Sequence, residues 1–279
     1  MINRLAKLYI STFFFIFYKC ARVILFILKK KPKGILVILT YHTITKDNQR
    51  LFLRQIDELI RKSIPVFADF QGPMTCGAYY VAVTFDDGFQ SVIENALPEL
   101  QRRKIPATLF IPTGYLGKHP TWINNQSNQY INELVMTSKH IKNLSKESII
   151  IGSHSVNHPN LTSISVKDLN RELIESKNKL EEILNKRIEL LAYPYGEYNQ
   201  KVLEISKQAG YKRVFSNVPL FPATKIEGFI LGRISVEPDD WFIEYRLKLM
   251  GAYQWLPIAV NMKRRLNNIK RILKARRSN

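Results

Sequence analysis

Between residues 35 and 250, short apolar runs alternate with longer stretches of helical periodicity, and this constrains the fold more than any other feature of the chain. Residues 35–41, 79–85, 107–111, 148–152, 188–193, 211–215 and 229–236 read as strands. They are apolar along most of their length, as strands covered on both faces must be. Phe52, Ile56, Leu59 and Ile60 mark an amphipathic helix, and 90–103, 166–185, 201–209 and 239–250 carry helical patterns. Strands joined through helices run parallel. About seven such units suit a distorted, incomplete (β/α) barrel better than an open doubly wound sheet. In a barrel, functional residues are expected just after the strands, at the C-terminal rim.

The charge is uneven. The chain carries a net +19. Residues 1–34 hold eight Lys/Arg and no acid, and residues 261–279 hold eight more and no acid. The stretch between them is nearly balanced at +3. Two basic tails flanking a balanced domain give no groove-like footprint for nucleic acid, so that partner is disfavoured. The division expected is a basic apolar membrane-associating segment over 1–34, a catalytic domain over 35–250 and a basic C-terminal tail over 251–279. Residues 8–28 approach the length of a membrane span, but Lys19 and Arg22 interrupt them. An interfacial helix or weak anchor is expected, with a helix packed on the domain as the alternative. In the C-terminal tail, Leu266, Ile269 and Leu273 fall at helical spacing among basic residues, an amphipathic pattern that also fits a solvated helix. The side of the membrane is left open. Two cysteines, Cys20 and Cys76, support neither a disulfide framework nor a cysteine zinc site.

Three segments carry chemistry. Asp86 and Asp87 end a strand and precede Gly88, so one carboxylate can bind a metal while the other takes a proton. The segment alone also fits a plain Asp-Gly turn. His154 and His158 follow another strand, and on one helical turn both imidazoles would share a face. With one carboxylate they would form a His₂Asp site with open positions, though two ordinary loop histidines would give the same spacing. Tyr193-Pro194-Tyr195-Gly196 follows a third strand and makes a rigid aromatic rim where a sugar can stack.

Taken in order, these segments resemble the NodB-type polysaccharide deacetylases, carbohydrate esterase family four. Residues 84–88 read Thr-Phe-Asp-Asp-Gly, like the first motif of that family. Residues 154–158 are similar to its His-Ser/Thr-x-x-His motif, and 192–196 to its Arg-x-Pro-Tyr-Gly motif. The resemblance implies a distorted (β/α) barrel and a divalent metal on Asp87, His154 and His158. It implies Asp86 as general base, and Pro194 and Tyr195 at the substrate, with the Tyr195 N–H serving the oxyanion. The implied activity is hydrolysis of N-acetyl groups on N-acetylhexosamine units of a polysaccharide or lipid-linked glycan. Zinc suits the donor set first; iron, cobalt and nickel also fit.

The sequence departs from the family twice. Ala192 stands where an Arg normally pairs with the base, and Arg233, on a later strand, is the expected replacement. No histidine follows His158 to act as general acid, and His42, after the first strand, is expected as that acid or as a ligand or substrate contact, though a satisfied strand-end histidine would look the same. Trp241, beyond Arg233, is a further candidate for substrate contact. Two other functions compete: a non-catalytic carbohydrate-binding barrel with a degenerate site, and a basic membrane- or nucleic-acid-binding protein.

Overall fold

The computed structural model describes residues 3–123, 130, 132–144, 147–219, 228–259 and 262. The basic pattern expected at Leu266, Ile269 and Leu273 lies outside them.

The chain opens with helix α1 (Arg4–Ile27), followed by β1 (Ile35–Tyr41), α2 (Gln49–Lys62), β2 (Ile64–Val66) and β3 (Tyr79–Phe85). A π-helical turn (Val92–Ala96) runs into α3 (Leu97–Arg102), and β4 (Ala107–Ile111) follows. Next come α4 (Ser138–Lys142), β5 (Ile149–Ser153), α5 (Val166–Leu184), β6 (Leu190–Ala192) and α6 (Gln200–Gln208). The chain returns through β7 (Arg213–Ser216), β8 (Ile230–Gly232) and β9 (Ile234–Ser235) to α7 (Phe242–Leu249).

Among the described residues, every pairing between these strands is parallel. The order is β8-β7-β6-β5-β4-β3-β1-β9, and β8 and β9 are separated only by Arg233. One continuous segment therefore pairs with β7 through its first half and with β1 through its second. This bends the sheet into a nearly closed barrel. β3 is the point of distortion: β2 pairs with its residues 80–82, and β4 with its residues 83–85 on.

β1, β3 and β4 are buried at every position, which is why continuous apolar runs specify them. One face packs under the helices, through residues such as Ile35, Leu39, Val81, Val83 and Leu109 against Phe52, Ile56 and Leu59 of α2. The other face fills the barrel with Leu36, Ile38, Ala82, Phe110 and Phe215. The helix expected over 90–103 is split by Pro98, near the N-terminus of α3. Proline lacks an amide hydrogen and crowds the preceding turn, so the chain widens into the π turn there.

Two flanking regions meet the domain more closely than tails would. α1 lies along the outside of the barrel beside α7. The body also continues past residue 250, with Ala252, Tyr253 and Trp255 buried.

Candidate active site

The rim at the strand C-termini gathers the titratable residues. Asp86 and Asp87 leave β3, and Asp86 N–H donates to the Tyr41 carbonyl of the neighbouring strand at 2.9 Å. Asp87 (φ +65°) and Gly88 (φ +59°) then take left-handed conformations that turn the chain sharply inward. A side chain at Gly88 would also press on Ile111, 3.2 Å away.

Asp87, His154 and His158 offer donor atoms within 4.8 Å of one another. Asp87 Oδ1 is 3.6 Å from His154 Nε2 and 3.4 Å from His158 Nε2. The histidines do not meet on a helical turn. The segment after β5 is a tight loop, with Ser155 (φ +64°) and His158 (φ +54°) both left-handed. Glu172, buried on α5, holds this loop. Its carboxylate accepts the Val156 and Asn157 amides at 2.8 Å each and the Asn157 side chain at 2.7 Å. His154 Nδ1 lies 2.8 Å from the Ala192 carbonyl, which fixes Nδ1 as the donor and leaves the Nε2 lone pair facing Asp87. His158 is clamped by rings, stacked on Trp122 at 4.5 Å and edge-on to Tyr195 at 4.8 Å.

Electrostatics suit this trio to a cation. Burial holds His154 down at about 4, against the pull of Asp86. Burial, with His154 adding to it, holds His158 down at about 2. Both rings are therefore neutral at neutral pH, the ligating form. Burial and the neighbouring Asp86 push Asp87 well above the usual carboxylate range. Its Oδ1 is buried without a hydrogen-bond partner. A buried carboxylate oxygen facing two neutral imidazoles fits a divalent metal, and the N₂O donor set is one such ions accept.

Asp86 has the opposite fate. Arg233, fully buried between β8 and β9, grips it bidentately, with Nη1–Oδ1 at 2.6 Å and Nη2–Oδ2 at 2.7 Å. Arg233 also donates to Thr84 Oγ1 (3.2 Å) and Asn217 Oδ1 (2.8 Å), and lies over Phe110. Burial alone would raise the Asp86 pKa; Arg233 and then His154 overcome it and hold the carboxyl at about 2. The two adjacent aspartates are thus driven apart by which of them meets the guanidinium.

His42 faces the same space from the end of β1, its ring stacked on Tyr130 at 5.8 Å. Its Nδ1 is 4.0 Å from Glu237 Oε1, and Tyr130 donates to Glu237 Oε2 at 3.0 Å. Burial lowers the His42 pKa despite Asp86, and raises Glu237 to about 7.

A cavity of about 250 Å³ joins these groups, lined by His42, Asp86, Asp87, Trp122, Ile123, Tyr130, His154, His158, Tyr195 and Asn217. Tyr195 is left-handed (φ +60°) and half exposed at the mouth, while Pro194 is buried beneath it. Trp241 lies apart from these lining residues, under the Arg4 guanidinium at 4.7 Å. Trp122, Tyr130 and Asn217 lie in loops outside the helices and strands, where no local periodicity marks them. Glu237 carried one usable signal, an acid just past the strand that holds Arg233.

The polysaccharide deacetylase family model matches residues 75–214. A poly-beta-1,6-N-acetyl-D-glucosamine N-deacetylase of Staphylococcus aureus (strain MRSA252) is 29% identical over 169 residues, covering 57% of this chain and 55% of the relative. The chain thus spans about half the length of that curated relative. Among solved structures, IcaB from Ammonifex degensii superposes with a TM-score of 0.65 at 22% identity, covering 78% of this chain and 98% of the other. The Streptococcus pyogenes deacetylase PplD, in complex with acetate, gives 0.62 at 23%, covering 78% and 99%. These likenesses establish the same fold. With the family model covering half of its length, the chain belongs to the polysaccharide deacetylase family.

Proposed function

We propose that this chain removes N-acetyl groups from N-acetylhexosamine units of a polysaccharide or lipid-linked glycan, using a divalent metal, zinc first, held by Asp87, His154 and His158. The observation that carries this reading is the split pair of aspartates: Asp87 faces two neutral imidazoles while Asp86 is locked as a carboxylate by Arg233. What the ion supplies when bound is Lewis-acid polarisation of the acetamide carbonyl and an attacking water acidic enough to yield its proton to so weak a base as Asp86.

The protein's own residues do the rest. Asp86 accepts the proton of the attacking water, and Arg233 keeps it ionised throughout. The Tyr195 N–H, on a strained left-handed turn, serves the oxygen that gains charge. His42, neutral in this site, passes the proton of one ring nitrogen to the departing amine and takes a replacement at Nδ1 from Glu237, which holds a proton up to about pH 7 and lies 4.0 Å away. Trp122, Tyr130 and Tyr195 offer ring faces to a sugar at a mouth suited to a single unit of a longer chain.

The basic apolar segment 1–34 associates with a membrane surface, where a glycan is made or presented. α1 is long and apolar enough to cross a membrane, and most of it is exposed. Acetate release from N-acetylglucosamine oligomers, measured against bound metal, tests the catalytic reading. Acetate that appears with metal and vanishes on chelation supports it. Stoichiometric metal with no acetate from any oligomer or polymer overturns it in favour of a carbohydrate-binding role.

A further inference from the structure

The charges that interrupt α1 all but one face the protein. Arg4, Leu8, Ser11, Phe15, Tyr18 and Arg22 recur every three or four residues and form one face of the helix. That face is docked. Arg4 donates to Glu244 of α7 at 2.7 Å and approaches Asp240, just before that helix, at 3.6 Å, and Lys248 bridges the same two acids. Ser11 is fully buried and accepts the Trp255 indole N–H at 2.8 Å. Leu8, Phe15 and Tyr18 pack on the core. Lys19 and Arg22 lie over the Tyr79 ring at 5.4 and 5.5 Å.

The opposite face has no charge. Phe13 (75% exposed), Phe17 (67%), Ile16 and Ile24 (56% each) and Ile27 (71%) point outward, with the exposed Cys20 among them. Lys29, Lys30, Lys31 and Lys33 follow at once, and no acid lies within 1–34. An uncharged aromatic face edged by cations matches an anionic lipid interface. A second copy of the chain would bring two lysine clusters together.

The geometry points to α1 remaining docked on the barrel while its outer face lies in the plane of an anionic bilayer, as an in-plane anchor rather than a span. This rests on the membrane reading above and specifies its form. Were α1 to span, Ser11, Lys19 and Arg22 would enter the lipid, and Asp240, Glu244 and Lys248 would lose Arg4. The docked helix also fixes an orientation. It runs from Asp240, near the rim, to Tyr79, the first residue of β3. α1 therefore follows the height of the barrel, and the cavity mouth opens along the membrane surface. A glycan would enter sideways, parallel to the lipid.

Depth measurements on the full-length chain test this. Single spin labels are placed through F13C or I27C in a C20S/C76S background, or on the native Cys20 in a C76S background, and the protein is bound to phosphatidylglycerol vesicles. An in-plane helix gives three equal, shallow depths. A spanning helix separates Phe13 from Ile27 by about 20 Å along the bilayer normal. Graded depths overturn the docked anchor while leaving membrane association intact. Failure to float with the vesicles, or burial of the labels in a lipid-free dimer, overturns both. The double variant F13D/F17D should lower vesicle partitioning by at least about tenfold. It should leave acetate release from soluble oligomers unchanged, so a loss of binding is separable from a loss of fold or of deacetylase activity.

Discussion

Replacing Arg233 with Met tests the centre of the mechanism, because the structure gives the guanidinium two separable consequences. In the parent, Asp86 is buried with both oxygens bonded to Arg233 at 2.6 and 2.7 Å, and its pKa is about 2. An unfolded aspartate titrates near 3.8, so this depression stabilises the fold by roughly 2 kcal/mol above pH ~4. That contribution is lost as the pH falls toward 2. Met at 233 fills similar volume but leaves the carboxylate buried and unpaired, which costs about 3–5 kcal/mol at neutral pH. Burial now dominates, so the Asp86 pKa moves above its unfolded value and the sign reverses. The variant is most stable where Asp86 is protonated and loses stability as the pH rises through the new pKa. Urea unfolding of both proteins at pH 4.5, 6 and 7.5 should show a deficit that widens with pH. Turnover at pH 7 should fall about 10²–10⁴-fold, since the base is no longer held ionised, while metal content stays near the parent value. R233K keeps one cation but not the fork, and should lie between the two. A pH-independent deficit together with turnover within about twofold of the parent would refute the assignment.

Four further outcomes follow. E172A removes the acceptor for three donors of the histidine loop and should weaken metal binding about 10–100-fold by calorimetric titration, with little change in the far-UV spectrum. In E237Q the group raised to about 7 is gone. Because the parent carboxyl is neutral in the fold below that value, the parent should lose thermal stability relative to the variant between pH 5 and 8, and an unchanged difference would exclude Glu237. G152A places a methyl 2.5 Å from the Phe110 ring that underlies Arg233, and should destabilise by about 1–3 kcal/mol in chemical unfolding. Chelation should abolish acetate release and lower the melting temperature, and added zinc should restore both.

Much of the barrel is legible in the sequence for a simple reason. Strands buried on both faces leave unbroken apolar runs, so the expected limits of 35–41, 79–85 and 107–111 are those observed. β2 is not legible: three residues centred on Pro65 are too short to stand out, and only pairing with β3 makes them a strand. The convergence of Asp87, His154 and His158 is readable from the motifs, yet the expected helical turn at 154–158 is a loop pinned from α5. Left-handed Ser and His leave no mark in a hydropathy pattern. Arg233 could be anticipated because a basic residue inside an apolar strand needs a carboxylate. Trp122, Tyr130 and Asn217 could not, since loops carry them to the cavity by tertiary contacts alone.

The strand that changes partners at Arg233 has a consequence for how the protein matures. Asp86 and Arg233 stand 147 positions apart. They meet only when β8 and β9 bridge β7 to β1. Contacts of such long range form late, because loop-closure entropy opposes them until the intervening units have folded. A nascent chain that has released β3 and β5 already owns Asp87, His154 and His158, but it lacks Arg233, the partner that keeps Asp86 ionised once it is buried. The pairing of Asp86 therefore arrives with closure of the seam, and a barrel that fails to close leaves that carboxylate without its guanidinium.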